Sequence, residues 1–216
     1  QMPNKAQSLV IGISGGIDSS VSSTLSAMTG LKTIVLTMPI KQKENQHDLS
    51  LKHQDWLTKN FKNVECHTIS LDNLFELFSS TLNKFDNEHG FANTRARLRM
   101  TTLYQVAAAN KGIVVGTGNK VEDFGVGFYT KYGDGGVDIS PIADCNKTEV
   151  WELGKELGIL KEIIDAPPTD GLWDDGRTDE GQLGFKYSEL EDAMGNPNSP
   201  HREQYEKIRN QNLHKM

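Results

Sequence analysis

The sequence predicts an α/β fold: a doubly wound, mostly parallel sheet with helices on both faces. Short apolar runs rich in Val and Ile alternate with longer stretches whose apolar residues recur at helical spacing, which is the pattern of strand–helix–strand units. Most of these runs are apolar along their whole length, which marks strands covered on both faces, and parallel sheets are covered in that way. Two glycine-containing loops, residues 12–20 and 116–123, each follow such a run. In open α/β sheets ligands bind beyond the carboxyl ends of the strands, so these loops mark the ligand end.

The elements follow in order. Residues 8–13 (SLVIGI) form a buried strand, and 19–28 carry apolar residues at helical spacing. A second strand covers 31–38 and stops at Pro39, which has no N–H for a ladder. Residues 48–61 form an amphipathic helix, and 63–71 a third strand with alternating pattern. A helix over 71–85 carries Asp72 in its first turn. A long helix over 93–110 leads into a fourth strand over 111–117. Beyond it, Gly133, Gly135 and Gly136 make 131–141 a loop, and 146–159 is a helix closed by Gly158. Residues 165–184 are rich in Pro, Gly and Asp and too polar to form a core, so they are expected to be an irregular lid. Two short helices end the chain.

Composition bounds the function. A chain of 216 residues, 36 % of them hydrophobic, suits one domain over residues 1–216, or one domain with a small appendage. A net charge of −6 argues against non-specific binding to nucleic acid or to anionic membranes. The two cysteines, Cys66 and Cys145, form neither a CxxC pair nor a metal cluster, and read as reduced thiols. No signal-peptide pattern is present and "LVIGI" is too short to span a bilayer, so a soluble, cytoplasmic protein is expected.

The first loop carries the chemistry. In "GISGGIDSS" the glycines permit positive φ and let backbone N–H groups face an anion, and the new helix adds its positive dipole end. Ser14, Ser19 and Ser20 can donate hydroxyl hydrogen bonds. Asp18 would repel a bare phosphate. It fits if a divalent cation lies between them, because Mg²⁺ takes carboxylate and phosphate oxygens together.

The stretch "SGGIDSS" (14–20) resembles the pyrophosphate-binding loop of the N-type ATP pyrophosphatases, which are adenine nucleotide alpha hydrolase-like enzymes. They cleave ATP between the α and β phosphates and adenylate a substrate oxygen. Residues 93–104 (NTRARLRMTTLY), 114–142, 166–173 (APPTDGLW) and 178–187 (TDEGQLGFKY) resemble the NAD synthetases in order and spacing. The block "TKYGDGGVD" (130–138) is the most specific, and the similarity runs from about residue 8 to 215.

The resemblance implies an ammonia-dependent ligase, a homodimer, that amidates deamido-NAD with ATP, Mg²⁺ and ammonia through an adenylated intermediate, releasing AMP and pyrophosphate. It implies ATP contacts at Gly12, Ile13, Ser14, Gly15, Gly16, Ile17, Asp18 and Ser19, and at Thr117, Lys147 and Thr169. It makes Asp18 and Glu122 the metal ligands and Lys147 the phosphate lysine that the first loop lacks. Arg97, Lys131, Asp138, His214 and Lys215 fall to deamido-NAD. Two departures accompany it: the first strand begins at residue 8, where the family usually has a preceding helix, and the sequence stops just after His214-Lys215-Met216. Reduced packing at a dimer interface, or a compact version of the family's chain, is the expectation, and a synthetase of 216 residues leaves no room for a glutamine-hydrolysing (glutaminase) domain.

Other readings are weaker. The nearest is another ATP pyrophosphatase, tRNA-modifying or GMP-forming; a tRNA substrate would want a basic face, and this chain is acidic. A nucleotide sensor without turnover would not need Asp18, Glu122, Lys131 and Lys147 together. A flavodoxin-like electron carrier would explain the sheet but not the aspartate in the loop.

Overall fold

The computed structural model describes residues 5–41, 44–169, 172 and 178–216. Strands β1 (Ser8–Gly12), β2 (Lys32–Thr37), β3 (Val64–Thr68) and β4 (Gly112–Val115) form a four-stranded sheet in the order β3-β2-β1-β4. All pairings are parallel, with Ile11 opposite both Val35 and Val115. The chain builds outward from β1 to β3 and then returns to place β4 on the other side of β1. That reversal opens a crevice beyond the ends of β1 and β4.

Alternation along the strands sorts the two faces. Val10, Ile34, Leu36 and Val114 face one side, where they meet Phe75 of α3 (Asp72–Thr81) and Met100, Leu103 and Ala107 of α4 (Glu88–Ala109). Leu9, Ile11, Val35 and Val115 face the other, against Ala27 of α1 (Ile17–Met28) and Leu57 of α2 (Glu44–Asn60). Val10, Ile11, Val35 and Leu36 are fully buried, each worth about 1.5–3 kcal/mol. The strand–helix order and the two-sided cover are those the sequence predicts.

The remaining helices are α5 (Lys147–Glu156), α6 (Lys161–Ile164), α7 (Asp179–Leu183), α8 (Tyr187–Gly195) and α9 (Arg202–Asn212). Ile17 and Val21 of α1 pack with Ile142, Val150, Ile159 and Ile163. Gly154 makes this contact tight: a Cβ there would lie 2.6 Å from Ile17 Cδ1. Two turns earlier on α5 stands Lys147, so the close approach sets its side chain over the start of α1. A separate cluster of Val121, Val126, Leu183, Phe185, Tyr187, Leu190 and Tyr205 holds the C-terminal helices against the segment after β4.

Several boundaries differ from the sequence reading, each for a local reason. Helix α4 starts at Glu88 rather than 93, because the Asn87 side chain caps it by accepting from the Gly90 N–H at 2.7 Å. The helix expected over 71–85 stops at Thr81 and resumes as a 3₁₀ turn over Asn83–Phe85. The hydroxyls of Ser79, Ser80 and Thr81 bond back to helix carbonyls there, a local competition that weakens a helix end. Strand β3 is shorter than 63–71 and lies at the sheet edge, with Glu65, His67 and Thr68 exposed. The loop after β4 is not a plain turn, since Val121–Val126 form one π-helical turn. The stretch 165–184 is not wholly irregular either. Thr178 accepts from the Gly181 N–H and starts α7, while residues 170–171 and 173–177 of the expected lid lie outside the described residues.

Candidate active site

The crevice beyond β1 and β4 contains a cavity of about 220 Å³. The first loop forms one wall. Gly15 takes φ +89°, the left-handed region that glycine enters without strain. Gly16 is extended and no side chain caps α1, so the helix start presents its N–H groups. The loop is tied by its own serines: the Ser14 N–H donates to Ser19 Oγ at 3.2 Å, and Ser19 Oγ donates to the Gly16 carbonyl at 3.0 Å.

Asp18 follows on the first turn of α1, and its carboxylate meets the two other charged groups at the centre of the site. Lys147 Nζ donates to Asp18 Oδ2 at 2.5 Å and to Glu122 Oε1 at 3.0 Å. Lys147 is almost wholly buried, with its side chain 2 % exposed, and the two carboxylates are 18 % and 16 % exposed. Glu122 comes from the π-helical turn. Such turns widen the backbone by one residue and recur at functional sites, and here the turn directs both Glu122 and Asp123 to the cavity.

Neutral donors fix the carboxylates. Asn119, fully buried, donates from Nδ2 to Asp18 Oδ1 at 3.1 Å, while its own Oδ1 accepts from the Val121 and Glu122 N–H groups. It therefore links the ends of β1 and β4. The Tyr187 hydroxyl donates to Glu122 Oε1 at 2.6 Å and also lies 3.2 Å from Asp179 Oδ2. Burial pushes the Tyr187 hydroxyl pKa up, as do Glu122 and Asp179.

The electrostatics follow from two carboxylates sharing one ammonium. Burial and then Glu122 push Asp18 above the usual carboxylate range, against the pull of Lys147. Burial also acts to raise Glu122, but Lys147 and the Tyr187 hydroxyl outweigh it and hold Glu122 low. Burial works against the Lys147 ammonium, yet Asp18 and Glu122 overcome it and hold Lys147 protonated. Burial, with Glu122, Asp134 and Asp18 near, moves Asp123 up to about 7.

Gly12, Ile13, Ser14, Gly16, Ile17, Asp18, Ser19, Thr117, Glu122, Lys147 and Thr169 all line the cavity; Gly15 shapes the loop without lining it. The other five expected residues lie outside the cavity lining. Arg97 Nε donates to the Lys131 carbonyl and Lys131 Nζ to the His214 carbonyl, so these three adjoin. Lys215 Nζ donates to the Gly127 carbonyl, which docks the C-terminal turn. Asp138 is set apart from them: its carboxylate accepts from the Val114 N–H at 2.8 Å and the Tyr104 hydroxyl at 3.2 Å. Sequence reasoning missed Asn119, Tyr187 and Asp179. Asn119 stood inside the "GTGNKVED" motif, whereas a lone tyrosine opening a short helix carried no signal.

Among the described residues, no group of three or more His, Cys, Asp or Glu side chains forms a metal cage. A pair of carboxylates close enough to share one cation still fits Mg²⁺, which takes one or two carboxylates and fills its shell with phosphates and water. Among the described residues no helix is long and apolar enough to cross a membrane.

A parallel sheet with helices around it, a glycine loop at its switch point and a lysine–carboxylate cluster beside that loop has the architecture of the adenine nucleotide alpha hydrolase-like enzymes. A sequence model of the NAD synthase family matches residues 2–216, and the chain belongs to that family. It is a ligase of NAD biosynthesis. The chain is 40 % identical over 192 residues to an NH(3)-dependent NAD(+) synthetase of Carboxydothermus hydrogenoformans, covering 86 % of this chain and 76 % of that one. A solved NMN synthetase from Francisella tularensis superposes with a TM-score of 0.90 at 38 % identity, over 97 % of this chain and 87 % of that one. An NH3-dependent NAD synthetase from Campylobacter jejuni, solved with a nitrate ion, superposes with a TM-score of 0.77 at 25 % identity, over 98 % and 88 %.

Proposed function

We propose that the enzyme amidates the nicotinate carboxylate of deamido-NAD with ammonia, at the expense of ATP. The observation that carries this reading is the Lys147–Asp18–Glu122 cluster beside the glycine loop. A nicotinate carboxylate oxygen attacks the α-phosphorus of ATP. The bond to the bridging oxygen breaks, and pyrophosphate leaves with that electron pair. Ammonia then attacks the acyl carbon of the adenylate, loses a proton, and AMP departs. No protein nucleophile is needed; positioning and charge stabilisation do the work.

The first-loop N–H groups, the serine hydroxyls and Lys147 face the ATP phosphates, with Thr117 and Thr169 at the cavity wall. Asp18 and Glu122 would hold Mg²⁺, which would supply positive charge to the phosphates when bound. Arg97, Lys131, His214 and Lys215, together with Asp138, serve the nicotinate substrate. The adjoining of Arg97, Lys131 and His214 supports a common role for those three. The enzyme works as a homodimer in the cytoplasm on small molecules. Leu74, Leu77 and Phe78, which share an exposed face of α3, support the dimer, and the unpaired Cys66 and Cys145 support a reducing compartment.

The resemblance to an NMN synthetase favours a second reading, with nicotinate mononucleotide as the acid amidated. One assay tests both. The protein is incubated with ATP, Mg²⁺, an ammonium salt and either acid, and amide, AMP and pyrophosphate are measured. The larger kcat/KM identifies the substrate. Release of ADP and phosphate instead would overturn the mechanism.

A further inference from the structure

We propose that Lys147 and the divalent cation compete for the same two carboxylates, so that the cation binds there only together with ATP. This rests on the reading that Asp18 and Glu122 are the metal ligands.

The geometry carries the inference. Lys147 Nζ contacts Asp18 Oδ2 and Glu122 Oε1 at once, at 2.5 and 3.0 Å. A cation that takes both oxygens must displace the ammonium that already spans them. One ammonium against two carboxylates leaves one negative charge over, which a dication would neutralise. The pair does not depend on Lys147 for its placement, because Asn119 holds Asp18 and Tyr187 holds Glu122 through neutral donors. The carboxylates therefore keep their positions when the lysine leaves.

Two aromatic rings also flank the ammonium where it stands. Lys147 Nζ lies 4.7 Å from the Tyr187 ring centroid and 6.0 Å from that of Trp151, aromatic faces that accept a cation. Its flexible stem starts at the first residue of α5, on the rim of the cavity. A dication arriving alone would take both carboxylates that Lys147 bonds and leave this buried ammonium only the influence of Asp179, and burying a poorly paired charge is costly. When a nucleotide arrives with the dication, its phosphate oxygens take the released ammonium. The same lysine thus guards the carboxylates before ATP binds and serves the phosphates afterwards.

Mn²⁺ binding, followed by the electron paramagnetic resonance of the free ion, tests this in wild type, Lys147→Met and Lys147→Gln, with and without α,β-methylene ATP. Wild type should bind Mn²⁺ weakly alone and tightly with the analogue. Both variants should bind Mn²⁺ without nucleotide about tenfold or more tighter than wild type, since a competing positive charge has gone. Adding Asp18→Asn to Lys147→Met should abolish that gain. Thermal midpoints give a second readout: Mn²⁺ alone should raise that of Lys147→Met by about 5 °C or more and leave wild type unmoved. If the variants fold only when Mn²⁺ is present, the proposal stands, because the dication has replaced the ammonium. Variants that bind Mn²⁺ no tighter than wild type, or that millimolar Mn²⁺ neither stabilises nor folds, overturn it. If Asp18→Asn with the analogue binds Mn²⁺ as tightly as wild type with the analogue, it is the metal-ligand reading itself that fails.

Discussion

Tyr187 donates its hydroxyl to Glu122 across 2.6 Å, from a helix that begins 65 positions later in the chain. The bond joins the C-terminal helices to the π-helical turn after β4 and fixes the carboxylate that meets Lys147. Tyr187 is 1 % exposed, and its ring packs edge-on to Trp151 at 6.0 Å. Tyr187→Phe keeps that packing and removes only the donor. A hydrogen bond to a charged acceptor is worth about 1.5–3 kcal/mol. The Mg²⁺ concentration needed for half-maximal rate should therefore rise about tenfold or more. The check is a Mg²⁺ titration of the rate at saturating ATP; an unchanged midpoint would show that Tyr187 serves packing alone.

Asp18→Asn and Glu122→Gln should separate activity from stability. Each should lower kcat by about a hundredfold or more, as expected when a charge-stabilising group in a dry site is lost. Asp18→Asn should cost little stability, because two buried carboxylates share one ammonium and repel each other, whereas Glu122→Gln should cost more, because Lys147 and Tyr187 favour its charged form. Asp18 should show the separation most clearly, since burial and Glu122 already hold its pKa up. Rates and thermal midpoints measured together decide the matter. A variant with wild-type rate and Mg²⁺ dependence would remove its carboxylate from the metal site.

Much of the site was legible in the sequence because its loops follow strands, and parallel strands deliver their ends to one edge. The resemblance, not the strand pattern, implied Glu122 as the partner of Asp18; the structure brings the two together because β1 and β4 are neighbours in the sheet and their ends lie side by side. What stayed hidden was set by packing. A π-helical turn differs from an α-helical one by a single residue per turn and has no compositional mark, so Val121–Val126 read as an ordinary turn. Tyr187 gained its role from a chain return that brings α8 onto that turn. Asp138 read as a substrate residue from its motif, yet two of its contacts are to the Val114 N–H and Tyr104, at the fourth strand and the long helix.

Gly15→Ala tests the loop. At φ +89° an alanine is strained by about 1–2 kcal/mol. Part of that strain should appear as a thermal midpoint lower by about 2–6 °C. The rest should appear as weaker ATP binding, because relaxing φ turns the N–H groups of the loop away from the phosphates. Calorimetric titration with α,β-methylene ATP reads the second effect. Unaltered affinity and midpoint would mean that the loop tolerates a side chain at this turn.

His53 gives the fold a pH dependence separate from the Lys147–Asp18–Glu122 cluster. Its ring is fully buried, bonds Ser23 Oγ through Nε2 at 2.9 Å and stacks on Trp56 at 5.6 Å. Burial lowers its pKa from 6.5 to about 4, with a bond to the Ser20 carbonyl opposing. Between those values the unfolded chain binds a proton that the folded chain refuses. Stability from this group is therefore complete above about pH 6.5 and falls as the pH drops toward 4. The full shift corresponds to about 3 kcal/mol. His53→Gln keeps a polar group facing Ser23 but cannot take up the proton. Between pH 7 and pH 4 wild type should lose about 3 kcal/mol more than the variant, read from urea unfolding at each pH. Carboxylates titrating in the same range act on both proteins and cancel in the difference. Parallel stability curves would show that the buried imidazole accepts its proton without penalty.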